Sequence, residues 1–258
     1  MPAHSKELNT LFRVVIDPGH GGTDEGAIHY QRNHRILEKD ITLRLAHQIA
    51  RQLQLRGFLV HLTRVGDQEI SLPDRTAMAN RLGADVFLSI HVNSAGNRAV
   101  PDAEGIETFF LNSTTDGSSR RLARIENSVI SAQLENSINQ PDVALILKDL
   151  TLDGNVIESK RLACHIQTQL VKATSPPQTL RRRNRGIKQA LFHVLLGADM
   201  PAILLETGFL NHPYDRALML SPKGQLKISR AVTDALDRFR SYKKSKRDRL
   251  TLSQCRIK

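Results

Sequence analysis

Four side chains far apart in the sequence could together do metal-assisted chemistry: His20, Glu38, His91 and Glu206. A catalytic zinc site needs three protein ligands drawn from His and Asp/Glu, an open position, and a nearby carboxylate that takes a proton from water without ligating. His20 lies in Asp17-Pro18-Gly19-His20-Gly21-Gly22, whose glycines admit close approach of a metal and a substrate. Glu38 opens an amphipathic stretch, so in a helix its carboxylate would point back toward the preceding loop. His91 follows the mostly apolar segment 85–90. Glu206 ends Pro201-Ala202-Ile203-Leu204-Leu205, a run too apolar to hold an acid unless that acid is paired or functional. Each residue also has a plainer explanation. The chain has ten histidines, and one that follows a strand is usually a satisfied core or surface residue. An acid at a helix start is more often a dipole partner than a ligand. Residue types and spacing alone leave the matter open.

The elements that must position these groups follow from periodicity. Residues 12–16 form a β-branched run that ends in a breaker cluster, predicting a strand that delivers His20 at its C-terminal end. Ile41, Leu45, Ile49 and Leu53, with Ala46 and Ala50 beside them, make a helical stripe over 38–56 that Gly57 stops. Further strands are predicted at 58–63, 85–90, 105–111, 190–196 and 202–205. Helices are predicted from an N-cap at Ser71 to Leu82, and over 119–137, 143–150, 156–173 and 222–239. This alternation implies an α/β fold, a single domain with a mostly parallel central sheet flanked by helices on both faces. In such sheets the strand C-terminal ends carry the site.

Composition narrows the function classes. With 258 residues, 40% apolar, the chain can bury one substantial core. Trp is absent and aromatics are 4%, which argues against an aromatic-lined sugar cleft. The net charge of +11 suits a polyanionic partner, either nucleic acid or an anionic cell envelope. The excess is concentrated in Arg181-Arg182-Arg183-Asn184-Arg185 and Lys243-Lys244-Ser245-Lys246-Arg247, both readable as solvated surface. No zinc finger, helix-turn-helix pattern or interleaved aromatics accompany the charge, so no nucleic-acid partner is expected. No run approaches the roughly 18 apolar residues of a membrane span, and no signal peptide is visible at the start. A cytosolic protein, a mature form and a misassigned start all remain open. Cys164 and Cys255 are too few for a disulfide framework, and Cys164 reads as a core thiol.

Four blocks, Val14-Val15-Ile16-Asp17-Pro18-Gly19-His20-Gly21-Gly22, Leu37-Glu38-Lys39-Asp40, Leu88-Ser89-Ile90-His91-Val92-Asn93 and Leu205-Glu206-Thr207-Gly208-Phe209-Leu210-Asn211, carry a family likeness. They closely resemble the zinc-dependent type 3 N-acetylmuramoyl-L-alanine amidases in order and spacing, over residues 12–240. The resemblance implies that His20, Glu38 and His91 hold Zn2+ and that Glu206 is the catalytic acid/base. The implied reaction is hydrolysis of the amide between N-acetylmuramic acid and L-alanine in peptidoglycan. The implied setting is the periplasm or cell envelope, in wall remodelling and daughter-cell separation. A catalytic domain is expected over 10–240 and a basic tail over 241–258.

Segment 112–158 is longer than a minimal member needs and resembles the inserted region of amidases of Gram-negative cell separation. There it would be a regulatory helical insert. Glu126, in Leu122-Ala123-Arg124-Ile125-Glu126-Asn127, would fill the open metal position until an activator protein binds the insert. An exposed helical acid is the plainer alternative. Arg185, in Arg185-Gly186-Ile187-Lys188, corresponds to the peptide-binding side of the cleft and could bind a stem-peptide carboxylate; a basic loop is the alternative. His29 and His34 are expected to be exposed loop residues rather than ligands. Two other functions stay in play: a non-catalytic wall-binding or regulatory homologue, and a zinc hydrolase of another amide.

Overall fold

The computed structural model describes residues 11–95, 103–128 and 154–245. The N-terminal half runs β1 (Arg13–Pro18), the hairpin β2 (Ile28–Gln31) and β3 (His34–Leu37), α1 (Glu38–Gln54), β4 (Leu59–Leu62), α2 (Leu72–Arg81) and β5 (Val86–Asn93). The remainder runs β6 (Ile106–Leu111), α3 (Gly117–Asn127), α4 (Gly154–Thr174), the single turn α5 (Leu180–Arg183), β7 (Asn184–Ala190), β8 (Ala202–Phe209), α6 (Pro213–Leu220) and α7 (Pro222–Ser245). Six strands make one sheet in the order β4-β1-β5-β8-β6-β7. Every neighbouring pair is parallel except β6 with β8. The expected α/β sandwich with a mostly parallel sheet is therefore what forms.

Alternation along the strands divides the core in two, because successive side chains leave opposite faces of a sheet. Val14, Ile16, Leu88, Ile90, Ile203 and Leu205 face a cluster built with α1, α4 and α7. Val15, Phe87, Phe109, Ala202 and Leu204 face a second cluster with Ala79 of α2 and Leu122 and Ala123 of α3. His91 and Glu206 continue the second set, so both project toward the α2/α3 side at the C-terminal ends of β5 and β8.

Helix starts are fixed where the site needs them. No side chain caps α1; instead Glu38 N–H and Lys39 N–H donate to the carbonyls of Ala27 and Glu25, tying the helix to the loop ahead of it. Ser71 caps α2 as expected, accepting from Asp74 N–H.

Several expectations differ from the structure. The strand expected at 190–196 lies earlier, at β7, while Val194 and Leu195 sit in a 3-10 turn packed into the second core. β7 is an edge strand, so it tolerates a polar sequence that does not read as buried β. Hairpin β2–β3 is not marked in the sequence because its strands have only four residues each and its two-residue turn places Arg32, not glycine, at φ 53°. Helix α7 extends to Ser245, so the first residues of the expected basic tail are helical and Tyr242 is buried. Of the helix expected at 119–137, α3 covers the first part; the rest, with the helix at 143–150, lies outside the described residues. Cys164 is buried as expected but is disulfide-bonded, not a free thiol.

Candidate active site

The loop after β1 is held by two buried arginines. Arg64 donates to the carbonyls of Pro18 and Gly19, and Arg75 to those of Pro18 and His20. Arg75 also pairs at 2.8 Å with buried Asp17, which accepts from Thr63 and Ser89 hydroxyls as well. These bonds hold His20 at φ 63°, a left-handed conformation that costs a non-glycine residue on the order of 1 kcal/mol. Two glycines let the neighbours close in. A Cβ on Gly19 would stand 2.6 Å from the His91 ring, and one on Gly26 would stand 2.6 Å from the His20 ring and 2.8 Å from Glu38 Oε2.

Four of the sequence candidates converge. His20 Nε2 lies 3.2 Å from Glu38 Oε1 and 3.4 Å from Glu126 Oε2. His91 Nδ1 lies 3.3 Å from Glu38 Oε1 and 2.9 Å from Glu126 Oε2. The two rings meet edge to face with centroids 4.9 Å apart. One atom each from His20, His91 and Glu126 fall within 4.8 Å of one another. Glu38 approaches the same two nitrogens while its carboxylate is anchored by Ala27 and Val92 N–H groups. The plainer picture of Glu126 as an exposed acid does not hold: it is 8% exposed and faces both imidazoles. Although they crowd together, His20 Nε2, His91 Nδ1 and Glu126 Oε2 are buried without a satisfied hydrogen bond among the described residues. Buried polar atoms normally find partners, so a donor set left this way fits a cation.

The remaining candidates occupy distinct places. Glu206 is fully buried on β8, in register with His91 on β5 and Glu107 on β6, and neither of its carboxylate oxygens has a hydrogen-bond partner among the described residues. Both His91 and Glu206 lie inside their strands near the end, not just past it as expected. Arg185 lies on β7, not in a loop, where it pairs with Glu107 and its guanidinium covers the Phe209 ring at 5.0 Å. His29 and His34 sit on the hairpin and join no cluster of metal-ligating groups among the described residues.

Charge explains how the centre is tuned. Burial would lower the proton affinity of His20, but Glu38, Asp24 and Glu126 overcome it and raise its pKa well above the ordinary value. His91 is likewise disfavoured by burial, yet Glu126 and Glu38 push it up to about 10. Glu38 moves the other way: burial is outweighed by the two imidazoles, which hold it well below the usual carboxylate range. Glu206 is raised well above the ordinary value, first by burial and then by repulsion from Glu126.

Two supporting groups escaped the sequence reading. Asp24 Oδ2 lies 2.8 Å from His20 Nδ1 and fixes which nitrogen faces the centre. Its signal was an acid four residues after a candidate ligand. Glu107 takes Arg185 and Lys188 on Oε1, with Asn93 donating toward Oε2. Nothing in the pattern of β6 marks it beyond being an acid in an apolar strand.

With this geometry, residues 14–238 match the family model described as N-acetylmuramoyl-L-alanine amidase. The chain belongs to the N-acetylmuramoyl-L-alanine amidase family. It is 31% identical to the amidase AmiA of Escherichia coli K12 over 226 residues, covering 86% of this chain and 74% of AmiA. Its fold matches the crystal structure of an N-acetylmuramoyl-L-alanine amidase from Clostridium difficile 630, with TM-score 0.65 and 31% identity over 92% of this chain and 99% of that one. It also matches the CwlD amidase of Clostridioides difficile, solved in complex with the GerS lipoprotein, at TM-score 0.65 and 22% identity over 89% of this chain and 98% of that one. The chain is thus a peptidoglycan amidase, and among its described residues no helix is long and apolar enough to cross a membrane.

Proposed function

We propose that this amidase depends on zinc, held by His20, Glu38 and His91, and that it cuts the bond between N-acetylmuramic acid and L-alanine. The observation that carries the proposal is the convergence of His20 Nε2 and His91 Nδ1 on the Glu38 and Glu126 carboxylates. Donor atoms around a tetrahedral zinc with bonds near 2.1 Å stand about 3.4 Å apart. The four nitrogen–oxygen separations here run from 2.9 to 3.4 Å, which supports the assignment. A zinc ion in this cluster would polarise the scissile carbonyl and lower the pKa of water.

The chain's own residues do the rest. Glu206 accepts a proton from the attacking water and returns it to the leaving amine of L-alanine. Its full burial on β8, in register with His91, suits a group that must carry a proton between the two steps without losing it to solvent. Asp24 keeps His20 Nδ1 protonated and turned away from the centre. Arg185, tethered by Glu107, offers its guanidinium to a stem-peptide carboxylate.

Glu126 is proposed as a displaceable fourth ligand, the brake within a regulatory insert at 112–158 that an activator protein would release. That a neighbour of this fold is solved with a lipoprotein bound is consistent with a protein partner. We place the catalytic domain at 10–240, with a basic tail at 241–258, and assign the enzyme to the periplasm or cell envelope in daughter-cell separation. The test is to incubate purified protein with peptidoglycan, with and without a zinc chelator, and identify new termini by mass spectrometry. Peptides beginning with L-alanine, lost on chelation, are expected. New reducing sugar ends would mean a glycosidase, and cleavage elsewhere in the peptide would mean a different amide substrate.

A further inference from the structure

Arg185 lines two chambers, only one of which the mechanism above uses. The first, about 260 Å³, has Asn93, Glu107, Leu122, Ile125 and Phe209 in its wall. It adjoins the proposed centre, since Glu107 stands opposite Glu206 and Ile125 immediately precedes Glu126. The second, about 320 Å³, is walled by Asp116, Arg181, Arg182, Asn184, Arg185 and Lys188. Both are clefts open to solvent, not enclosed cavities.

The cations of the second chamber are unevenly committed. Glu107 engages Arg185 and Lys188, and Glu104 engages Arg182. Asp116, the one acid in the wall, is occupied as the N-cap of α3, accepting from Ser118 and Ser119. Arg181 is exposed and has no carboxylate partner among the described residues. A guanidinium has five N–H donors, so Arg182 and Arg185 keep donors to spare after one ion pair each. An entering anion therefore meets the Arg181 guanidinium, which no carboxylate among the described residues pairs, and two partly engaged ones, set against the single negative charge that Asp116 retains.

We propose that this second chamber is a subsite for a further carboxylate of an acidic peptide substrate. The stem peptide leaves the scissile amide through the first chamber, passes Arg185, and sets its next free carboxylate against Arg181 and Arg182. The inference rests on the amidase reading and makes cleavage depend on the charge of the distal part of the peptide. Exposed charge-assisted contacts of this kind are worth about two- to fivefold each in affinity, so that two together approach about tenfold.

The test uses the full zinc-loaded chain and two soluble muramoyl tripeptides that differ only in whether the carboxylate of the third residue is free or amidated. Wild type is expected to show a KM roughly tenfold lower for the free form. Arg181→Gln should remove that preference by raising KM for the free form alone, with kcat unchanged for both. Arg182→Gln should act in the same direction, with Glu104 still held by Arg183. An unchanged preference in both variants, or an equal loss on both substrates, overturns the subsite. Failure to cleave either substrate in the Glu126→Ala background as well, where the proposed brake is gone, overturns the zinc-amidase reading itself, and this inference with it.

Discussion

His91 and Glu206 stand side by side on adjacent parallel strands, paired in register with both side chains on the same face of the sheet. This places a proposed ligand and a proposed acid/base within one rigid β-unit, so the first can be kept while the second is removed. Glu206→Gln should lower turnover by about a thousandfold or more. Its zinc content should remain near one per chain by elemental analysis. Loss of the metal in that variant would make Glu206 a ligand instead.

Glu126 reaches across from α3 to both imidazoles, 2.9 Å from His91 Nδ1. If it blocks the fourth position, Glu126→Ala should raise basal hydrolysis of soluble substrate by about tenfold, the effect of some 1.4 kcal/mol of released competition. Rates measured without any partner protein decide the matter. No gain would put the brake elsewhere.

Asp24 touches the centre only through His20. Removing such an outer partner typically costs about 10- to 100-fold in metal affinity. Asp24→Ala should show that loss in a chelator-competition titration, whereas Asp24→Asn should recover part of it. Equal zinc affinity in all three proteins would deny Asp24 its orienting role.

Asp17 makes the loop's stability depend on acid. Burial works against its charge, but Arg75 and the Thr63 and Ser89 hydroxyls win, and its pKa is lowered from 3.8. A carboxylate depressed in the folded state stabilises fully above its unfolded pKa, and that contribution is lost as pH falls through the folded value. Stability should therefore decline below about pH 4. Asp17→Asn should cost about 3–5 kcal/mol at neutral pH by leaving Arg75 buried and unpaired. It should also flatten the acid limb of urea unfolding, and an acid limb that keeps its slope in the variant would exclude Asp17 as its source.

Elements whose burial imposes a period were legible in the sequence. The α1 stripe and the apolar runs of β1, β5 and β8 announced themselves, and with them the positions of His20, Glu38, His91 and Glu206. Elements stabilised by edges and local bonds were not. β7 is polar because only one side of it pairs, and the β2–β3 hairpin turns through an arginine. The site was legible only in part for a related reason. A ligand beside glycines leaves a mark, and Asp24 lies only four residues after His20, but Glu107, Arg64 and Arg75 act through contacts between residues up to 81 positions apart, which no spacing rule records. Glu126 came from a resemblance to an inserted segment, and its closeness to both histidines could be seen only in the fold.

His20, Glu38 and His91 are proposed to share a single cation. Crystals of the zinc-loaded protein measured on either side of the zinc absorption edge test this most directly. One anomalous peak per chain is expected, about 2.0–2.2 Å from His20 Nε2, His91 Nδ1 and a Glu38 oxygen. A peak bound elsewhere, or full activity in protein stripped of metal, would contradict it.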